Sequence, residues 1–332
     1  MSKAAELAAL IGSQTALSHR NVIINGAMQV SQRGDTTGIT GADSFGGADR
    51  ISSNGGGFGT ASFSQQSDAP AGFANSHRTK ITTARSTSAT SDHFVISTRL
   101  EGQDLQRFKK GTSDAEAMTL SFYAKASQAT TITVELSDND NSRIAGKDFN
   151  ITTSWARYSY TYPADTTGAF DDDNALSLYV FFWLAAGTDF TSGTDPDGTW
   201  ISSTGNTSKR VHAAVGTTFA DTLNAEFYLT GLQLEVGEQA TPFEHRSYAD
   251  ELERCKRYFQ RAEYDIYSSY GATYNYVQWF YNPEMRTTPT ISGNVTGSAD
   301  GSNKQYAQRY SSGSAYAQFH GGASRTKADA EL

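Results

Sequence analysis

The chain has 332 residues, of which 37% are hydrophobic and 12% aromatic, with Gly 30, Pro 6 and a single cysteine, Cys255. Ser and Thr fill more than a fifth of the positions and Leu-rich helical stretches are scarce, which excludes an all-helical protein, a coiled coil and a disordered tail. Lys+Arg 27 against Asp+Glu 35 give a formal charge of -8, a surface that repels a phosphate backbone, so nucleic acid is not expected as a partner.

At the N-terminus Ala4, Leu7, Ala8 and Ile11 recur at helical spacing and Gly12-Ser13 makes a stop, so residues 1–20 read as a short helical attachment segment. A helix this short is marginal alone, and Leu7 and Ile11 are expected to meet a partner chain; a frayed leader is the competing reading. Glu6 interrupts the apolar stretch and no basic region precedes it, which does not resemble a secretory signal; folding in a reducing cytoplasm is expected.

Residues 21–245 alternate with period two between Gly, Asp, Asn and Ser clusters. The expected strands are Val22 to Ile24, Ala61 to Gln66, Arg78 to Thr82, Phe94 to Leu100, Met118 to Ala124, Thr130 to Leu136, Trp155 to Tyr162, Leu176 to Trp183, Lys209 to His212 and Glu226 to Glu235. No helical crossovers separate them, so they predict an antiparallel jelly-roll β-sandwich. Leu178 to Ala186 is the longest strongly apolar run and is too short to span a bilayer, so it reads as a buried strand and no membrane insertion is expected.

At Ser247 the texture changes. Ser247 and Asp250 have capping-box spacing, and Tyr248, Leu252, Cys255, Phe259 and Ala262 form a stripe, which predicts a linking helix over 246–262 with Cys255 on its buried face. Residues 263–332 are rich in tyrosine and read as a small β domain with a thin core that oligomerisation would complete. In the strand Tyr274 to Tyr281, Tyr274, Tyr276 and Phe280 share one face while Val277, Trp279 and Tyr281 share the other. With both faces apolar the strand is expected to be buried on both sides, by its own domain or by a neighbouring subunit, so Tyr274, Tyr276, Trp279 and Tyr281, along with Leu7 and Ile11, are candidates for an interface between copies.

Catalytic signals are weak. The six histidines show no HxH or HExxH spacing, no GxSxG elbow occurs, and Gly55-Gly56-Gly57 precedes no phosphate-holding lysine, so no metal site, cofactor or catalytic residue is expected. Asp138, Asp140 and Asn141 begin like a calcium loop, but Arg143 stands where the turn glycine belongs and no Glu follows at the twelfth position. A hydrated turn is favoured over a weak calcium site. Aromatic rings on polar loops are what glycan binding needs, since the rings cover sugar CH groups while carboxylates take the hydroxyls. Trp200 with Asp195 and Asp197, and the segment holding Tyr264, Tyr267 and Tyr270, fit that description, although an aromatic in a β protein more often packs in a core or interface.

The segment GLQLEVGEQATPFEHRSYADELERCKRYFQ (Gly231 to Gln260) resembles a signature of bacteriophage tail-fibre and related receptor-binding virion proteins. In these a final jelly-roll strand ends in a "QLEVG…ATPFE-R" turn and leads to an "L-x-x-C-x-R-Y-[YF]" helix. NVIINGAMQVSQRGD (Asn21 to Asp35), Ala48-Asp49-Arg50, MRTTPTI (Met285 to Ile291) and the closing ADAEL (Ala328 to Leu332) fit the same family. The family's aromatic-x-x-Asp-Arg-aromatic pattern is here longer by one residue after Phe45 and ends in Ile51. The resemblance implies a carbohydrate-binding-module-like jelly roll in a homotrimeric tail fibre or spike. Such a protein is made in the host cytoplasm, joined to other virion proteins by its N-terminal segment, and attaches the virion to bacterial surface polysaccharide without catalysis. A purely structural head fibre or tail adaptor, and a polysaccharide depolymerase, are the alternatives.

Overall fold

A computed structural model describes residues 19–41, 43–86, 89–192, 197–204, 210–211, 218–263, 265–267, 274–312, 317–321 and 325–332. The chain divides into two compact units, Met1–Arg246 and Ser247–Leu332. Leu7 and Ile11, like Asp195, Tyr264 and Tyr270, lie outside the described residues.

The first unit is a jelly-roll β-sandwich whose described strands are β1 (Thr36–Ile39), β2 (Ser44–Phe45), β3 (Ser52–Gly56), β4 (Thr60–Gln66), β5 (Ser76–Thr83), β6 (His93–Glu101), β7 (Met118–Ala126), β8 (Thr130–Asp138), β9 (Arg143–Ile151), β10 (Ala156–Tyr162), β11 (Leu176–Ala186), β12 (Ile201–Ser202) and β13 (Glu226–Val236). One sheet has the order β1-β4-β5-β13-β7-β10 and the other β12-β9-β8-β11-β6-β3-β2, with antiparallel pairing throughout. Alternation decides which side chains enter the core. Leu120, Phe122 and Ala124 on β7, Ile132, Val134 and Leu136 on β8, and Leu178, Val180 and Phe182 on β11 are almost wholly enclosed between the sheets.

The described strands differ from the expected ones in three places. Val22 to Ile24 forms no strand of its own. The segment is buried alongside β13, where Asn21 Nδ2 donates to the Leu232 carbonyl at 3.0 Å and Val22 N to Leu234 O at 3.1 Å. Lys209 and His212 lie outside the described residues, and Arg210 and Val211 between them form a bend. Conversely β9 is not among the expected strands, and it pairs with β8 along its whole length although Gly146, Lys147, Asp148 and Asn150 have weak strand preference.

In the second unit Ser247 caps a helix, Tyr248–Lys256, its Oγ accepting from Asp250 N at 3.2 Å. The helix stops well short of the predicted 262. Tyr258 N already turns back to Cys255 O, and Phe259 enters β14 (Phe259–Arg261), so Phe259 and Ala262 are buried by a sheet rather than by a helical stripe. Cys255 is buried as expected, but Tyr248 is 56% exposed. The remaining described strands are β15 (Ile266–Tyr267), β16 (Tyr274–Phe280), β17 (Thr290–Ser292), β18 (Val295–Thr296), β19 (Ser298–Ser302), β20 (Tyr306–Ser312), β21 (Gln318–Phe319) and β22 (Lys327–Asp329). They form three sheets of three strands, β14-β22-β17, β15-β21-β18 and β16-β20-β19, around a small core containing Val277, Trp279, Tyr281, Met285 and Phe319.

The segments that carried the resemblance do folding work. Glu235, 2% exposed, accepts from Gln233 Nε2, Thr241 N and Thr241 Oγ1 at 2.8, 2.9 and 2.6 Å, while Glu244 N donates to Gln233 Oε1 at 2.8 Å. Glu244 Oε2 in turn accepts from Asn21 N at 2.8 Å, joining the two ends of the first unit. Burial alone would raise the Glu244 carboxyl, but that backbone donor and Arg246 outweigh it and hold the group below its ordinary value. Asp49 accepts two bonds from Gln32, and the Arg50 guanidinium, in a residue 2% exposed, donates to Arg99 O at 2.7 Å. In the second unit Arg286 Nη2 and Nε reach the carbonyls of Glu331 and Ala330 at 3.1 and 3.0 Å, tying the MRTTPTI segment to the closing strand.

Candidate functional site

β11 is the fourth strand of the seven-stranded sheet, and its odd positions from 179 to 183 face away from the core, a register shift after Trp183 returning Ala185 to it. They are Tyr179, Phe181 and Trp183, three aromatics in register along one strand. Tyr179 and Phe181 stack with centroids 4.6 Å apart and an angle of 14°, and Phe181 meets Trp183 edge-on at 6.3 Å.

Cross-strand pairing determines what stands beside each ring. Phe181 lies opposite Glu135 of β8 and Ser97 of β6, while Tyr179 lies opposite Ser137 and Arg99. Glu135 is fully buried, and an isolated carboxylate there would be prohibitively desolvated. It is held by Trp183 Nε1 at 3.0 Å and by Arg210, whose Nε donates to both carboxylate oxygens at 3.2 Å and whose Nη2 also reaches Oε1. Burial would lower the Arg210 guanidinium, but the Glu135 charge outweighs it and raises it. The same guanidinium lies 5.5 Å from the Phe181 centroid and 5.4 Å from that of Trp183, so one arginine is both ion-pair partner and ring cover.

A second arginine repeats the arrangement at the other end. Arg99 lies 5.4 Å from the centroids of both Tyr179 and Phe45, and its Nη2 pairs with Asp43, whose side chain is 55% exposed. Arg33 adds a further guanidinium 4.9 Å from Phe45. Burial raises the Tyr179 phenol, keeping it protonated and able to donate. Val211 and Phe190 cover the Trp183 end, leaving Phe181 and Trp183 8% and 3% exposed, while Tyr179 stays half-buried. The Trp183 end of the face is thus closed, and what the face offers lies at the other end, where the half-buried Tyr179 and Phe45 rings stand with Arg99, Arg33 and the exposed Asp43 carboxylate.

The residues singled out from sequence fall elsewhere. Trp200 packs against the sandwich core, donates Nε1 to Pro163 O at 3.0 Å and places its ring centroid 5.2 Å from Lys110 Nζ. That ring roofs a buried cation instead of standing free on a loop. Asp197 is 75% exposed at its side chain and pairs with Lys147. Trp279 and Tyr281, two of the interface candidates, are each 7% exposed and belong to the small unit's own core. Tyr276 does face outward, at 52% exposed, and Tyr267 and Tyr274 lie in β15 and β16.

The acidic cluster is the β8–β9 turn, with Asn139 and Ser142 exposed, but Asp138 at its start points inward. Asp138 and Lys110 are both fully buried, and Lys110 Nζ sits among Asp138 Oδ2 at 2.6 Å, Thr167 O and Gly168 O at 2.8 Å, and Asp165 Oδ2 at 3.1 Å. Arg143, the residue that broke the calcium-loop pattern, donates Nε to Asp165 at 2.7 Å. Burial would raise the Asp165 carboxyl, but Arg143 and Lys110 outweigh it and lower it. Among the described residues no group of three or more His, Cys, Asp or Glu could hold a metal ion. The Lys110 ammonium is the cation that Asp138 and Asp165 share.

No family model matches the chain, and no curated protein matches it. Among solved structures it is similar to the enzymatically active domain of tailspike protein 4 of bacteriophage CBA120, at 9% identity and a TM-score of 0.31, over 65% of this chain but only 21% of that one. It is also similar to the family 11 carbohydrate-binding module of Clostridium thermocellum, solved with a β-1,3-1,4-mixed-linked tetrasaccharide, at 13% identity and a TM-score of 0.32, over 63% and 98% of the two chains. A third is TmCBM61, solved with β-1,4-galactotriose, at 8% identity and a TM-score of 0.31, over 66% and 99%. These likenesses are low and carry nothing about ligand or activity; the sandwich rests on its own strand pairing.

Proposed function

We propose that this chain is a non-catalytic phage fibre or spike protein that attaches the virion to bacterial surface polysaccharide through the outward face of its seven-stranded sheet. The observation that carries the reading is the open end of that face, where the half-buried Tyr179 and Phe45 rings each lie 5.4 Å from Arg99 with Arg33 and the exposed Asp43 carboxylate beside them, and the closed Phe181, Trp183, Arg210 and Glu135 cluster serves as the support. Rings give surface to sugar CH groups, guanidiniums donate to hydroxyls or carboxylates, and the mutual contacts lower the ordering cost of binding. The virion assignment rests on the resemblance of Gly231 to Gln260 and its companion segments. On that reading the assembly is a homotrimer displayed on the particle, and three weak sites per fibre raise avidity by about 10²–10⁴ where geometry allows simultaneous engagement.

The test has three measurements. The purified chain is passed over an array of capsular and O-chain oligosaccharides, with Tyr179→Ala and Arg99→Ala as comparisons. Wild-type retention that both variants reduce is expected, whereas identical retention of all three proteins would sink the sheet-face site. Light scattering is expected to give three times the chain mass, and a stable monomer would contradict the trimer. Release of new reducing ends from the retained polysaccharide would replace attachment by depolymerisation.

A further inference from the structure

The small unit carries a second aromatic face of a different kind. β16 pairs with β20 in the register Tyr276↔Tyr310, Gln278↔Gln308 and Phe280↔Tyr306. Val277 and Trp279, at the intervening positions, are buried in the unit's core, so the even-numbered side chains are directed outward. Tyr276 and Phe280 are 52% and 66% exposed, two of the four large hydrophobic residues left in that state among the described residues.

Each ring has a cross-strand aromatic partner. The Tyr276 and Tyr310 centroids lie 6.0 Å apart, and those of Phe280 and Tyr306 5.8 Å apart. Between the two pairs runs a polar row: Gln278 Nε2 donates to Gln308 Oε1 at 2.6 Å, and Gln308 Nε2 donates to the Asp300 carboxylate of β19. Tyr276, Gln278, Gln308 and Asp300 together line an open cavity of about 450 Å³. Four residue steps of strand separate Tyr276 from Phe280, roughly 13 Å, longer than a single sugar ring.

We infer that this face is a second saccharide site, taking an extended oligosaccharide of neutral sugars across Tyr276/Tyr310 and Phe280/Tyr306 with its hydroxyls on Gln278, Gln308 and Asp300. The order of chemistry along the face selects this occupant over a second copy of the chain. A homomeric contact places apolar surface at its centre, and here the Gln278 and Gln308 amides are central and the rings terminal, with Asp300 reaching in from the edge strand β19. Burying Asp300 against a symmetry copy would desolvate a charge beside its own like, whereas sugar hydroxyls donate to a carboxylate and sugar CH groups cover the rings. The exposed carboxylate disfavours acidic sugars at this face. The inference shares the ligand class of the sheet-face reading and stands on different residues in a different unit.

The experiment uses the full chain and one immobilised array holding neutral and acidic bacterial oligosaccharides together with a β-1,3-1,4-linked glucan tetrasaccharide. Three proteins are compared: wild type, the double variant Tyr276→Ala/Phe280→Ala, and Tyr179→Ala. All substituted side chains but Tyr179 are exposed, so an unchanged thermal midpoint verifies that the double variant is folded. The expected result is a loss of about tenfold or more in the double variant for at least one neutral oligosaccharide that Tyr179→Ala still binds normally. Asp300→Asn is expected to weaken the same oligosaccharide. Loss in Tyr179→Ala alone overturns this inference and leaves the first site standing; loss in the double variant alone does the reverse. Absence of any wild-type binding overturns both, and a double variant that changes only the oligomeric mass by light scattering reassigns the face to contact between copies.

Discussion

Both units present aromatic side chains at alternate positions on the outer face of a sheet, and they treat them in opposite ways. On β11, Trp183 and Phe181 are 3% and 8% exposed because Arg210, Val211 and Phe190 pack over them and Glu135 anchors the arginine. On β16, Tyr276 and Phe280 are 52% and 66% exposed, and their cross-strand neighbours are rings and amides. Alternation therefore specifies a face but not its degree of cover. Cover comes from what the neighbouring strands and loops bring, and a buried charge opposite an aromatic is what draws in a counter-ion to close the face.

Substitutions on the two faces are therefore expected to differ most in stability. Trp183→Ala removes a packed ring and leaves Glu135 without one donor, and a loss of about 3–5 kcal/mol is expected in denaturant unfolding. A loss under about 1 kcal/mol would show that the covered face is only loosely built. Lys110→Met tests the other buried charge of the sandwich. It leaves Asp138 and Asp165 without their shared ammonium, for an expected loss of about 3–5 kcal/mol, and thermal unfolding with and without added calcium shows whether a metal can replace the side chain.

A pH titration gives the next effect. Burial lowers His77 to about 3, its ring lying between Ala48 N, which donates to Nδ1 at 3.4 Å, and the Thr79 hydroxyl at 3.3 Å. The unfolded chain binds a proton near pH 6.5 that the folded chain refuses. His77 thus costs no stability above pH 6.5, and stability falls as the pH drops from there towards 3, by about 1.4 kcal/mol per unit. Unfolding midpoints measured across that window are expected to fall less steeply in His77→Asn, and parallel slopes in the two proteins would reject the assignment. The smallest effect belongs to the open face: Phe280→Ala is expected to change stability by less than about 0.5 kcal/mol, since little is buried there to lose. A larger change would mean that Phe280 is covered in solution.

Much of this architecture was legible beforehand. Clean alternation such as Leu120, Phe122, Ala124 exposed the sandwich strands, and Ser247 with Asp250 exposed the helix start. What the pattern could not supply was partnership. Leu178 to Ala186 is apolar at both parities and so reads as buried twice over, which hid the aromatic ladder. The legible hint was Glu135 between Val134 and Leu136, a charge in the middle of a core strand that had to face something. Trp200 was chosen because it follows a polar loop, but a ring's position in sequence does not tell which cation it covers. The helix was drawn too long because Phe259 and Ala262 continue its spacing, while β22, some seventy residues later in the chain, captures that segment as a strand.

By itself, then, the sequence determined local periodicity: which segments extend, which side chains share a face, and where the jelly roll yields to a capped helix and a tyrosine-rich unit. These follow from neighbours a few residues apart. Only the tertiary structure decided which of the two faces of β11 and β16 is closed and which is open, and that Lys110 is the cation between Asp138 and Asp165. Those outcomes depend on desolvation and charge pairing between residues tens of positions apart, energies that exist only once the sheets have brought them together.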